Sequence, residues 1–291
     1  MSSESHRFDV GSYECIAISD GTFSYPQPTQ NVFINFFVNA PEDRLRRVLR
    51  DYDVVPEQWR EYVSPYICLV ISDGRDHVLV DTGAGTIAPT TGRLIPNLES
   101  EGVSPEDIDT VILTHGHPDH IGGTVDDSGR PAFPNARYVM WKGEWDFWTS
   151  EPDLSGLGID DHGKEILVKV ATNALHPISD RLELIEREVE VTPGVRAISA
   201  PGHTPGHIAV SVVSDGAQLL HISDTALHPV HLEQPDWCSS VAFDSEEVTA
   251  SRLRLFGKAA SEKALVMATH FPFPGLGYVV ESGEGWKWRP I

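Results

Sequence analysis

Short apolar runs separated by turn residues make up most of the chain, and they predict a protein rich in β-strands. Three pairs of such runs flank turn residues and predict hairpins at 65–83, 189–200 and 207–224. The remaining runs predict single strands, which lie at 13–19, 110–115, 136–140 and 265–270. Strand ends and turns therefore recur along the whole chain.

Only a few segments have the composition or spacing of a helix. Pro41 begins the segment PEDRLRRVLRDYD, whose acidic first turn predicts a short helix. The segment WKGEWDFW at 141–148 predicts a second helix. After Asp244, apolar residues recur on one helical face, with Arg252 as the single charge among them. The Pro-, Asn- and aromatic-rich stretch 20–40 predicts an irregular loop.

The order of these elements predicts the fold class. Strands outnumber helices, and the helices do not alternate strictly with the strands. This order favours an α+β fold in which two sheets pack face to face with helices outside. No repeat or linker is visible, so we expect one domain over residues 1–291, with 20–65 as a possible lid or extension.

Charge and cysteine content narrow the possible partners. The net charge is -21, which argues against binding to nucleic acid, because such binding relies on Lys and Arg at phosphates. The three cysteines are far apart, so we expect no disulfide framework and a cytoplasmic location. The polar start and the lack of a long apolar run predict neither a signal peptide nor a membrane span.

The segment LTHGHPDHIGG at 113–123 is the densest group of chemically active side chains. Three histidines and an aspartate follow directly after an apolar strand, and further metal-type residues end other strands. Together these candidate ligands are His115, His117, Asp119, His120, His203, Asp224 and His270. Two zinc ions need three or four protein ligands each, so seven nitrogen and oxygen ligands predict a binuclear site.

These motifs resemble the metallo-β-lactamase superfamily, whose HxHxDH motif here reads HGHPDH. The resemblance extends from VDTG at 80–83 to ATH at 268–270. It implies an αββα sandwich, with two mixed sheets flanked by helices and the metals in the crevice between them. It also implies that Asp81 of VDTG orients a ligand histidine. His207 is expected to be structural, and His221 to be a core residue.

The resemblance implies how the ligands divide between two zinc ions, or Mn, Co or Fe in their place. One metal would be held by His115, His117 and His203. The other would be held by Asp119, His120 and His270. Asp224 would bridge both, and Asp119 and Asp224 would be the catalytic carboxylates. A metal-bridging hydroxide would then attack the substrate.

The substrate class follows from Asp224 and two further stretches. Lactam-cleaving members commonly carry Cys at the position of Asp224, so the Asp points to esters, lactones, thioesters or phosphoesters. The stretches PNARYVMWKGEWDFW and HFPFPGLG resemble the methyl parathion hydrolase-like and lactonase branch. They imply hydrolysis of carboxylic esters or lactones, such as acyl-homoserine lactones or aryl esters, with phosphotriesterase activity as a side reaction.

Substrate contacts are expected close to the ligands in sequence. The candidates are Phe271, Phe273, Trp148, Leu227 and His228. Core packing is the alternative for the aromatic residues. Many acyl-homoserine lactonases have a tyrosine three residues after the bridging Asp, where this chain has Leu227.

Two other activities remain open. A glyoxalase II-like thioesterase would need basic residues for glutathione, which the Lys-poor C-terminal part does not supply. A mononuclear iron dioxygenase of the persulfide-oxidising type would use two histidines and one Asp. We expect a small-molecule substrate, no nucleic-acid or membrane partner, and a possible homodimer.

Overall fold

Two sheets form the centre of the fold. The computed structural model describes residues 4–26, 35–52, 54, 61–283 and 285–291. Within them, seven neighbouring strands form the first sheet: β1 (Ser5–Val10), β2 (Tyr13–Pro26), β3 (Glu61–Ser72), β4 (His77–Val80), β5 (Thr110–Leu113), β6 (Arg137–Trp141) and β7 (Leu182–Ile185). The strands β1 to β4 pair antiparallel, and β4 to β7 pair parallel.

The second sheet is also mixed. Its strands in the described chain are β8 (Val189–Thr192), β9 (Val195–Ser199), β10 (Ile208–Ser214), β11 (Ala217–His221), β12 (Leu265–Met267), β13 (Leu276–Ser282) and β14 (Gly285–Pro290). Only β11 and β12 pair parallel. The predicted hairpins β3–β4, β8–β9 and β10–β11 are all confirmed.

Helices cover the outer faces of the sheets. The described α-helices are α1 (Glu42–Arg50), α2 (Leu94–Ser100), α3 (Pro118–Ile121), α4 (Lys142–Thr149), α5 (Asp161–Leu175), α6 (Val230–Glu233) and α7 (Ser245–Glu262). The helix predicted after Asp244 is α7, and the Asp244 side chain accepts hydrogen bonds from the amides of Glu246 and Glu247 at its start. None of the described helices is both long and apolar enough to span a bilayer.

Strand alternation divides the core into layers. On β3, Leu69 faces the second sheet, whereas Cys68 and Val70 face the helices α2, α4 and α5. On the far side of the second sheet, Leu255 and Phe256 of α7 pack against it. The order helix, sheet, sheet, helix confirms the predicted αββα sandwich.

The irregular loop expected at 20–40 is wrong in its first part. Residues as far as Pro26 continue β2 and pair with β3, where Phe23 lies opposite Ser64 and Tyr25 opposite Tyr62. Alternating aromatic residues with a partner strand favour β-structure over a loop. Residues 27–34 lie outside the described part of the chain.

Candidate metal centre

All seven predicted ligands meet at one edge of the two sheets. They divide into two groups in which the ligand atoms lie within 4.8 Å of one another: His115, His117, His203 and Asp224, and Asp119, His120, His270 and Asp224. We call them the first and the second ligand group. The strands β5, β9, β11 and β12 end just before these residues. Asp224 belongs to both groups, which is the placement a bridging ligand requires.

In the first ligand group, the three imidazoles point at a common centre. His117 Nδ1 lies 3.1 Å from His115 Nε2 and 2.9 Å from His203 Nε2. Asp224 Oδ2 lies 3.2 Å from His203 Nε2. Two ligand atoms at about 2.1 Å from one tetrahedral zinc ion are about 3.4 Å apart, so this spacing suits a shared ion.

The second ligand group has a similar spacing. His120 Nε2 and His270 Nε2 each lie 3.1 Å from Asp224 Oδ1. Asp119 Oδ2 lies 3.4 Å from His270 Nε2 and 3.8 Å from His120 Nε2. Asp224 Oδ1 thus faces the second group, whereas Oδ2 lies 3.2 Å from both His203 Nε2 and His270 Nε2, between the two groups.

Unpaired buried atoms support a metal between these ligands. Within the described chain, His120 Nε2, His117 Nε2 and Asp224 Oδ1 are buried without a hydrogen-bond partner. Leaving a buried polar atom unpaired is costly, and at Nε2 of His120 and Oδ1 of Asp224 a metal ion would remove that cost. The residues present therefore fit a binuclear metal site.

Burial and neighbouring charges shift the pKa values of the ligand histidines in different directions. Burial lowers the pKa of His115 and His117 well below its ordinary value, which keeps both imidazoles neutral. Burial also acts to lower the pKa of His120, but the carboxylates of Asp224, Asp81 and Asp119 raise it overall. The second ligand group is the more negative of the two, since it has two carboxylates.

Direct hydrogen bonds orient the imidazoles of the second group. His120 Nδ1 donates to Asp81 Oδ2 over 2.7 Å. Asp81 also accepts from the amide and hydroxyl of Thr114, each over 2.8 Å. His270 Nδ1 lies 3.0 Å from Ser64 Oγ and 3.1 Å from the carbonyl oxygen of Pro65. Asp81 thus contacts His120 as it would if it orients a ligand histidine.

His207 contacts the backbone of Asp224. Its Nδ1 donates to the Ala200 carbonyl over 2.9 Å, and its Nε2 accepts from the Asp224 amide over 3.1 Å. Burial lowers the pKa of His207 to about 3. A neutral ring with this tautomer holds Asp224 in place, and neither ligand group includes it. His221 is fully buried at the end of β11.

One residue with a place in this centre was not predicted. Glu144 of α4 is fully buried and accepts hydrogen bonds from the loops that carry the histidines of the first group. From the sequence alone, a glutamate in the short helix predicted at 141–148 is expected at the surface. The two glycines in HGH and TPGH were the available signal, because both contact α4.

Similarity to known proteins supports the interpretation of this site as a metal centre. The family model described as metallo-β-lactamase superfamily matches residues 64–270. The chain belongs to the metallo-β-lactamase superfamily. The prediction of a metal-dependent hydrolase is also confirmed.

Members and relatives of this superfamily resemble the chain over most of its length. An N-acyl homoserine lactonase of a Bacillus species is 27% identical over 228 residues, covering 71% of this chain and 81% of the relative. The structure of AidC, a dizinc quorum-quenching lactonase in complex with a product, has a TM-score of 0.88 at 27% identity and covers 100% of this chain and 99% of its own. The hydrolase AbOPH of the β-lactamase superfamily has a TM-score of 0.88 at 25% identity, covering 100% and 98%.

A cavity of about 560 Å³ opens above the metallo-β-lactamase-type centre. His117, Asp119, His203, Asp224 and His270 form its floor. Its wall is mainly apolar and includes Phe23, Tyr25, Phe36, Tyr66, Ile87, Ile166, Leu167, Leu227 and Val241. None of the described residues lining it is Lys or Arg.

Of the predicted substrate contacts, only Leu227 lines the cavity. Phe271 is fully buried and packs edge-on against Trp288, with ring centroids 5.0 Å apart. Phe273 packs against the core between the sheets. Both face away from the cavity although they follow the ligand His270 directly.

Trp148 and His228 are also absent from the described cavity wall. Trp148 is only 1% exposed, and its Nε1 donates to Glu144 over 2.7 Å. His228 contacts the rings of Phe37 and Tyr52. The aromatic wall instead comes from β2 and β3, through Phe23, Tyr25 and Tyr66.

Proposed function

We propose that this chain is a dizinc hydrolase that opens the ring of N-acyl homoserine lactones and cleaves related carboxylic esters. The observation that carries the proposal is that ligands from both groups form the floor of a mainly apolar cavity. An acyl chain fits such a wall, because burial of each CH₂ group contributes about 0.8 kcal/mol. The named lactonases among its relatives support the same substrate class.

The lining of the cavity also argues against the two alternatives. A glutathione thioester carries carboxylates, and the described lining offers no Lys or Arg to bind them. An iron dioxygenase needs two histidines and one carboxylate, whereas this chain supplies five histidines and two aspartates in two groups. Neutral phosphotriesters remain a proposed side substrate, because they need no basic residue.

The metal centre and the carboxylates would divide the chemistry between them. When bound, zinc supplies an ionised water near neutral pH and polarises the substrate oxygen. Asp119 is the most accessible ligand, with its side chain 17% exposed at the cavity floor. Its carboxylate can accept the proton of the attacking water and return it to the leaving oxygen. Asp224 lies below it and keeps the two ligand groups at a fixed separation.

Tyr66 supplies a hydroxyl group to the lining of the cavity. Its hydroxyl lies 3.1 Å from that of Tyr25, and both residues line the cavity. Its ring lies 5.5 Å from the ring of His270. Burial and the Asp119 carboxylate raise the pKa of the Tyr66 hydroxyl, so it keeps its proton at neutral pH. We propose that this phenol stabilises the negative charge that develops on the carbonyl oxygen. It would take the place of the tyrosine that many acyl-homoserine lactonases have at the position of Leu227, whose side chain has no polar group.

The test is proton release from a long-chain N-acyl homoserine lactone by the zinc-loaded protein. Metal-stripped protein serves as the blank, and a glutathione thioester and an aryl ester serve as competing substrates. We expect metal-dependent release with the lactone and the aryl ester, and far slower release with the thioester. Turnover of the thioester alone would contradict the proposal.

A further inference from the structure

A buried carboxylate connects the two loops that carry the histidines of the first ligand group. Glu144 lies in the first turn of α4 and is fully buried. Its Oε1 accepts from the Gly116 amide over 2.8 Å and from Trp148 Nε1 over 2.7 Å. Its Oε2 accepts from the Thr204 hydroxyl and the Gly206 amide, each over 2.8 Å. One oxygen therefore holds the loop 115–117, and the other holds the loop 203–207.

The two glycines of these loops allow the close approach of α4. A Cβ atom on Gly206 would lie 2.3 Å from the Glu144 backbone nitrogen. A Cβ atom on Gly116 would lie 2.3 Å from Trp148 Cδ1. Real Cβ atoms do not approach so closely, so both positions require glycine. The helix is thus wedged against the backbone of both loops.

Burial raises the pKa of Glu144, but the four hydrogen bonds from Gly116, Trp148, Thr204 and Gly206 favour its ionised form. A carboxylate is an acceptor only, and its two oxygens can take all four hydrogen bonds. An amide at this position would point its NH₂ group at one or two N–H donors in either orientation, because only the Thr204 hydroxyl can also accept. Such a change keeps the size of the side chain but leaves at least one buried N–H unpaired.

The second ligand group is held by other residues. Its histidines are oriented through their own ring nitrogens, by Asp81 for His120 and by Ser64 and Pro65 for His270. No contact described for Glu144 reaches this group. The histidines of the two groups therefore have different direct supports, whereas Asp224, which both groups share, is contacted by His207 of the loop 203–207.

We propose that Glu144 is a positioning residue that selectively sets the metal affinity of the first ligand group. It acts through the backbone of the two histidine loops and not through an imidazole nitrogen. The inference rests on the proposed two-metal function. Loss of an outer hydrogen-bond partner typically costs about 10–100-fold in metal affinity, so we expect an effect of this size at one site only.

The experiment compares metal binding by the wild-type chain and by Glu144→Gln. Metal-stripped proteins are titrated with Cd²⁺ and followed by ¹¹³Cd NMR, because sites with three and with two histidines give separate resonances. We expect the resonance of the three-histidine site in Glu144→Gln to need about 10–100-fold more free Cd²⁺, while the other resonance fills as in wild type. Equal weakening of both sites, or of neither, would overturn the inference.

Asp20→Asn is the matched control for removing a buried charge. Asp20 is fully buried and accepts hydrogen bonds from the amides of Ala84 and Leu94, but not from either histidine loop. This variant should leave the Cd²⁺ affinity of the three-histidine site unchanged. If Glu144→Gln does not fold, Thr204→Val removes one donor and should weaken the same site by a smaller factor. No change in Thr204→Val would then contradict the inference.

The outcome for wild type separates this inference from the proposed function. Wild type that binds one Cd²⁺ per chain would contradict the two-metal function before any variant is compared. Two bound ions with no selective loss in Glu144→Gln would contradict only the role of Glu144.

Discussion

The floor and the wall of the cavity are built by different means. The floor consists of polar residues that hydrogen bonds hold in place, as Ser64 and the Pro65 carbonyl contact His270 and as His207 accepts from the Asp224 amide. The wall consists of apolar and aromatic side chains from β2, β3, α5 and the segment after Asp224. Directional bonds fix the floor in one arrangement, whereas apolar contacts fix the wall only by shape. We infer that the floor determines the reaction and that the wall determines which acyl group is accepted.

The largest expected effect comes from the residue shared by both ligand groups. Asp224→Asn keeps the shape of the side chain but leaves only one oxygen for two metals. We expect lactone turnover to fall by about 10³-fold or more, since the floor loses its common ligand. Metal content and kcat/KM are measured together, with circular dichroism as the control for folding. Turnover within tenfold of wild type would contradict the role of Asp224.

A smaller effect on turnover is expected from Tyr66, a residue of the wall whose ring contacts His270 of the floor. Tyr66→Phe removes one hydroxyl and leaves the ring in the cavity. We expect kcat to fall by about 10–100-fold with little change in KM, for a lactone and an aryl ester alike. Tyr138→Phe is the matched control, because Tyr138 is fully buried and its hydroxyl bonds only to the Phe133 carbonyl among the described residues. A loss confined to KM would contradict charge stabilisation by Tyr66.

Changes in the wall should alter selectivity and leave the chemistry intact. Leu167→Trp adds bulk to the lining of the cavity. We expect kcat/KM for a dodecanoyl lactone to fall about 5–20-fold and that for a butanoyl lactone to stay within about twofold. Leu253→Trp is the control, because Leu253 is an exposed residue of α7 outside the described wall. Equal losses for both lactones would contradict the division between floor and wall.

The smallest effect is expected on protein stability, at His228, which contacts Phe37 and Tyr52 outside the described cavity wall. Burial lowers the pKa of His228 from its ordinary value to about 4, so the unfolded chain binds a proton more readily than the folded one. Its stabilising contribution is present above about pH 6.5 and is lost as the pH falls towards 4. Between pH 7 and pH 5, we expect the free energy of unfolding of wild type to fall by about 1–2 kcal/mol more than that of His228→Asn. Urea unfolding at both pH values measures this difference. A change in KM at pH 7 would instead indicate a substrate contact.

The floor could be predicted from the sequence, whereas most of the wall, apart from Leu227, could not, for physical reasons. Each metal ligand follows the end of a strand, so local motifs such as HGHPDH place it. Phe271 and Phe273 were wrong as cavity residues because closeness in sequence to His270 does not determine which way a side chain points after a strand. Ile166 and Leu167 belong to α5, which was not predicted, and their apolar side chains carry no sign of the cavity. Tyr25 required the pairing of β2 with β3, a contact distant in sequence.

The most direct test of the account is a zinc titration of the metal-stripped protein. Bound zinc per chain and lactone hydrolysis are measured in the same samples. If the reaction needs both ligand groups, the rate of hydrolysis rises mainly with the second equivalent of zinc and reaches a plateau near two ions per chain. Full hydrolysis at one ion per chain would contradict it.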